Sequence, residues 1–201
     1  MYRLFYNYKV TGDVLYIVLD PLSYPDQVEK KGNVAALYKE KKLIGVNLFS
    51  FGELVKLHTE GMIVTPEDKL IDVINSELQN AGLAPLPYTR DSGYHVGKIV
   101  SLEEHPLDEK AQIVHLDFGE GKVLETTSHY PNLAVGALLV CALDGTIKYD
   151  GTLFRAGTIR NIGHQADICS EKELRIGEDF KQAFVVKEGY AAGDDFYLGG
   201  K

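Results

Sequence analysis

Residues 81–93 read A-G-L-A-P-L-P-Y-T-R-D-S-G, and this stretch constrains the chain more than any other. Pro85 and Pro87 remove backbone donors and bar a helix, while Gly82 and Gly93 make an ordered ladder costly. No regular element crosses it, so the 201 residues divide into two bodies. The expected layout is a first domain over 1–84, a linker over 85–93 and a second domain over 94–201.

The first body reads as a small α+β domain. Runs at 4–8 and 14–19 predict an antiparallel hairpin, and runs at 33–38 and 43–51 predict a second, joined through Lys39-Glu40-Lys41-Lys42. Residues 66–80 cover that sheet as a helix, with Thr65 as cap, Pro66 in its first turn and Gly82 as its stop. Leu70, Ile71, Ile74 and Leu78 recur at helical spacing on one face.

The second body reads as a barrel. Strands are expected over 94–102, with a bend or bulge at Gly97, then over 113–118, 123–128, 138–143 and 152–162. Five strands with a long connection before the fourth fit an OB-fold barrel, followed by a short C-terminal extension. The fold class is therefore mainly β with an α+β first domain.

Composition narrows function. Apolar residues make up 45% and charged residues 25%, the balance of an ordinary globular protein. No run approaches the roughly 18 apolar residues of a membrane span, and the N-terminus has no signal-peptide pattern, so a cytoplasmic protein with no membrane partner is expected. Cys141 and Cys169 sit in apolar settings and read as buried free thiols. No His, Cys or carboxylate spacing suits a metal, and no nucleophile–base pair or phosphate loop is present. A non-catalytic chain without cofactor, metal or small-molecule substrate is expected. The net charge of −8 argues against broad nucleic-acid binding. The second body is the more acidic, with 17 acidic and 11 basic side chains over 94–201.

Residues 157–174, G-T-I-R-N-I-G-H-Q-A-D-I-C-S-E-K-E-L, carry the sharpest local signal. Ser170 and Glu173 have the spacing of a capping box, and a helix begun this way offers free N–H groups to a phosphate. Ile168-Cys169-Ser170-Glu171-Lys172-Glu173-Leu174 resembles the I-C-S-x-x-E-L of a tRNA-binding OB domain. That domain occurs in bacterial phenylalanyl-tRNA synthetase β subunits and the endothelial-monocyte-activating-polypeptide-like family. Val96-Gly97-Lys98-Ile99 resembles its first strand, Glu104-His105-Pro106 with Asp108 and Lys110 its H-P-x-A-D-K-L loop, and Pro131-Asn132-Leu133 the end of its C-G-A-P-N-V. Arg160 resembles the arginine of its L-R-G, and Ala192-Gly193-Asp194-Asp195 its terminal small-Gly-x-D. The two-body layout resembles the YtpR family of stand-alone bacterial tRNA-binding proteins. The chain departs from that pattern at Ser128-His129-Tyr130, at Asn161, and at His164-Gln165-Ala166-Asp167, which stands where the family reads S-x-G-M.

The resemblance implies tRNA or another structured RNA as partner, held by backbone charge and shape. The expected contacts are Lys98, Asn132, Arg155, Arg160, His164, Ser170 and Lys172, with Arg155 and Arg160 exposed together by strand alternation. His129, Tyr130 and His164 offer rings for an unpaired base, whereas Asp167 should repel phosphate. A homodimer through an apolar barrel edge near 138–143 is a further expectation. The competing reading is a protein-interaction module whose RNA site has decayed.

Overall fold

The computed structural model describes residues 2–199; Met1, Gly200 and Lys201, which end the two expected domains, lie outside the described residues. Two compact units divide between Arg90 and Asp91.

The first unit begins with β1 (Arg3–Tyr6), a single helical turn α1 (Tyr8–Thr11) and β2 (Val14–Val18). β3 (Gln27–Lys31), β4 (Val34–Lys39), β5 (Lys42–Phe49) and β6 (Gly61–Ile63) complete one antiparallel sheet in the order β3-β4-β5-β2-β1-β6. The expected hairpins form, but the sheet has six strands rather than four. β3 lies exposed along its length and β6 is only three residues, so neither shows the alternating pattern of a half-buried strand. The Glu40–Lys41 turn between β4 and β5 takes positive φ at both residues (48° and 67°), the geometry that matches strand twist.

Helix α2 (Asp68–Ala81) buries Ile71, Ile74 and Leu78 against Leu4, Leu15, Ile17 and Leu48 of the sheet. Its start corrects the expected one: the N-cap is Glu67, which makes no side-chain cap bond, so Thr65 and Pro66 stand ahead of the helix. Gly82 ends it in the left-handed region at φ 84°.

The second unit is the barrel. β7 (Tyr94–Glu104), β8 (Gln112–Asp117), β9 (Val123–Ser128), β10 (Leu138–Ala142) and a short β13 (Asp167–Ile168) form one sheet in the order β13-β10-β7-β8-β9. Its core is Ile99, Val114, Leu116, Phe118, Leu139, Cys141, Ala166 and Ile168. The irregularity in β7 falls between Ile99 and Ser101 rather than at Gly97. Gly97 serves packing: a Cβ there would stand 2.8 Å from Phe118 Cζ.

The expected strand over 152–162 is replaced by a hairpin, β11 (Gly157–Ile159) and β12 (Ile162–His164). Arg160 and Asn161 form its turn at φ 51° and 69°. Beyond β12 the chain closes the barrel. Gln165 N donates to Glu125 O (3.0 Å), Glu125 N to Gln165 Oε1 (2.9 Å), and Thr126 Oγ1 to Ala166 O (2.6 Å), after which β13 pairs with β10. Residues 165–168 thus join the two ends of the sheet. β10 is hydrogen-bonded to β7 on one side and β13 on the other, so 138–143 offers no free edge for the expected dimer contact.

Candidate nucleic-acid interface

Helix α3 (Glu171–Leu174) follows directly from the barrel's last strand, and its capping box forms in full. Glu173 N donates to Ser170 Oγ (3.4 Å), while Ser170 N and Oγ both donate to Glu173 Oε2 (2.9 and 2.7 Å). Tyr130 Oη donates to the same carboxylate oxygen at 2.9 Å. Burial pushes the Tyr130 phenol well above its ordinary range, with Glu173 acting in the same direction, so Tyr130 stays a donor. The expected phosphate seat at Ser170 is corrected by this network. Ser170 is only 1% exposed, and Lys172 N donates to Asp179 O, so the helix start is already hydrogen-bonded within the protein.

The arginine pair is corrected too. Arg155 lies outside any strand and Arg160 in the β11–β12 turn, so no strand alternation presents them together, although both are exposed. Lys98 is exposed on β7 between Asp117 of β8 and Leu138 of β10. Asn132 clamps the main chain of Ala183, donating from Nδ2 to its carbonyl and accepting from its N–H at Oδ1, both at 2.9 Å. His164 stacks edge-on to Phe154, ring centroids 5.2 Å apart, beside Thr126 Oγ1.

Asp167 is not the free acid the sequence suggested. Lys148 Nζ lies 2.8 Å from its Oδ2, and both side chains are about three-quarters buried. Burial alone would lower the Lys148 pKa, but the hydrogen bond and attraction to Asp167, with Glu173 and Asp150 acting in the same direction, raise it.

Around α3 lies a groove of about 700 Å³, lined by Tyr130, Lys148, Tyr149, Lys172, Glu173 and Arg175, with Asp150, Glu178 and Phe180 at its remaining sides. A smaller hollow of about 340 Å³ adjoins it through Tyr130, Glu173 and Phe180 and adds Ser128, His129 and Lys181. Two groups of charges behave differently here. Lys172, Arg175 and Lys181 have no carboxylate within ion-pair distance among the described residues; each is set against a ring instead. Lys172 Nζ and Lys181 Nζ lie 5.4 and 5.9 Å from the Phe180 centroid, and the Arg175 guanidinium 5.8 Å from that of Tyr149. Three acids here are engaged: Glu173 by Tyr130 and Ser170, Asp167 by Lys148, and Asp150 by Thr152 N and Oγ1 at 2.9 and 2.7 Å.

Of the expected residues, the groove gathers Ser170 and Lys172. Tyr149, Arg175, Phe180 and Lys181 went unread in the sequence. The signal available was Phe180-Lys181 in a polar stretch, an aromatic beside a cation. Asp91, His95 and Asp195 bring ligand atoms within 4.8 Å of one another. They form a hydrogen-bonded brace: His95 Nε2 meets Asp91 Oδ1 at 3.0 Å, and Asp195 accepts from Ser92 N and Oγ, both at 2.6 Å.

Residues 23–86 match a family described as a domain of unknown function, DUF4479. The Bacillus subtilis (strain 168) protein YtpR, provisionally named as tRNA-binding, is 27% identical over 197 residues, 96% of this chain and 98% of that protein. The phenylalanine–tRNA ligase β subunit of Nitratidesulfovibrio vulgaris is 35% identical over 98 residues, 49% of this chain. That of Bacteroides thetaiotaomicron is 27% identical over 128 residues, 61% of this chain. The matches span only 12% and 16% of those subunits. One relative is thus similar along nearly its whole length, and the partial relatives align with about half of this chain, whose barrel is completed by the I-C-S-E-K-E-L cap.

Proposed function

We propose that this chain binds tRNA or another structured RNA without catalysing a reaction, in the cytoplasm, through the face of the barrel that carries α3. The relative matched along nearly its whole length is named for tRNA binding, and the partial relatives are subunits of a tRNA ligase. Among the described residues no helix is long and apolar enough to cross a membrane. The observation that carries the reading is the arrangement of Lys172, Arg175 and Lys181, cations without carboxylate partners among the described residues and held against aromatic rings around the groove and its adjoining hollow. Ammonium and guanidinium groups in that state take phosphate oxygens without first breaking an ion pair. Exposed Lys98, Arg155 and Arg160 are the further candidate contacts; Asn132, His164 and Ser170 support them by holding the loops.

A mobility-shift titration with bulk tRNA over a salt series tests this. Wild type should bind with a salt-dependent constant, and the Lys172→Ala/Arg175→Ala/Lys181→Ala variant should lose about three units of the log–log salt slope at most. Arg155→Ala/Arg160→Ala should produce the smaller loss. Absence of salt-sensitive binding by wild type would refute the reading and favour a protein-interaction module.

A further inference from the structure

The groove contains Lys148, Lys172 and Arg175 but also Asp150, Glu173 and Glu178, so its own formal charge is zero. A neutral groove draws little affinity from phosphate attraction alone. What it offers in addition is ring surface. Phe180 is 60% exposed on an irregular segment, with an ammonium on either side of it in sequence space, at positions 172 and 181. Tyr149 and Tyr130 line the same cavity. A volume near 700 Å³ falls in the roughly 300–1,000 Å³ range of small-molecule sites.

We propose that this groove takes an unpaired nucleotide, its base stacked on Phe180 and its flanking phosphates held by Lys172, Lys181 and Arg175. The RNA selected is then a single-stranded loop or end rather than a duplex, because paired bases cannot present a face to the ring. This rests on the RNA-binding reading above. A base arriving at Phe180 displaces an ammonium from the ring, which frees that ammonium for the adjoining phosphate. Stacking is also insensitive to sequence and to salt, so part of the affinity persists when the ionic part is screened.

The chain has no tryptophan, so Phe180→Trp places a single indole at the site. An eight-nucleotide single-stranded RNA should quench that emission, and a blunt RNA duplex of equal length should not. In the full chain, Phe180→Ala should weaken binding of the single strand about tenfold or more, while Phe180→Tyr retains it. Equal binding of duplex and single strand, or a Phe180→Ala variant that binds the single strand like wild type, overturns the inference. Bulk tRNA titrated against wild type separates the two levels. Salt-sensitive tRNA binding with no effect of Phe180→Ala removes only the stacking site; no binding of any RNA removes both.

Discussion

Lys148 and Asp167 form a three-quarters-buried ion pair, Nζ to Oδ2 at 2.8 Å, that neutralises the one acid in the closing segment. Lys148→Met therefore leaves a lone, partly desolvated carboxylate beside the groove. It should cost about 1–2 kcal/mol, below the cost of breaking a fully buried pair because water reaches both groups. RNA affinity should fall with it. Adding Asp167→Asn should restore much of both, and a denaturant-melt double-mutant cycle showing simple additivity would count against the pairing.

Cys141 and Cys169 are fully buried, and burial pushes both thiols up from their ordinary range. For a group whose folded pKa is raised, stability is whole below the unfolded value, near 8.5 for cysteine, and declines as pH rises above it. Unfolding free energy should fall by about 1.4 kcal/mol per pH unit for each thiol once pH passes that point. Urea melts at successive pH values should show a shallower decline in Cys141→Ala/Cys169→Ala than in wild type. Native thiols should react with alkylating agents only as fast as the barrel opens.

Arg160 holds φ 51° in the β11–β12 turn, where a side chain other than Asn or Asp is disfavoured by about 1 kcal/mol. Arg160→Asn should raise stability by up to that amount while removing one of the proposed RNA contacts. Higher melting temperature with weaker tRNA binding is the expected combination. Unchanged binding would exclude Arg160 as a contact.

Ser170, Glu173 and Tyr130 share one carboxylate oxygen. Ser170→Ala should lose about 1–2 kcal/mol as a helix cap, and Tyr130→Phe about 1 kcal/mol as a hydrogen bond. The double variant should lose less than the sum, since both act through Glu173.

The barrel was legible where burial alternates along a strand, as in the first part of β7, or where, as in β10, it runs unbroken through a short apolar strand. β9 has the expected bounds, and β7, β8 and β10 differ by one or two residues at their ends. The capping box was legible because Ser170 and Glu173 satisfy it within three residues. The β11–β12 hairpin was not, because Arg160-Asn161 lacks the glycine that announces such a turn. β3 failed for a different reason: exposed on both faces, it has no pattern for burial to impress. The groove was least legible of all, since it is assembled from positions 130, 148–150 and 170–180, which local periodicity does not connect. Lys148 shows the same limit, for nothing near it in sequence indicates that Asp167 is its partner.

The bonds between Glu125 and Gln165 bridge a sequence separation of 40 residues, whereas the β7–β8–β9 meander is built from neighbours. Loop-closure entropy makes such a seam a late event, so the meander should stand as an open ribbon before residues 165–168 zip it shut. Gln165→Ala should then speed unfolding while leaving the refolding rate nearly unchanged, as stopped-flow chevrons would register; slowed refolding would place the seam in the nucleus instead. Residues 165–168 are thus the barrel's latch, and any drift there towards a new ligand is read out first as a change in how long the native state survives.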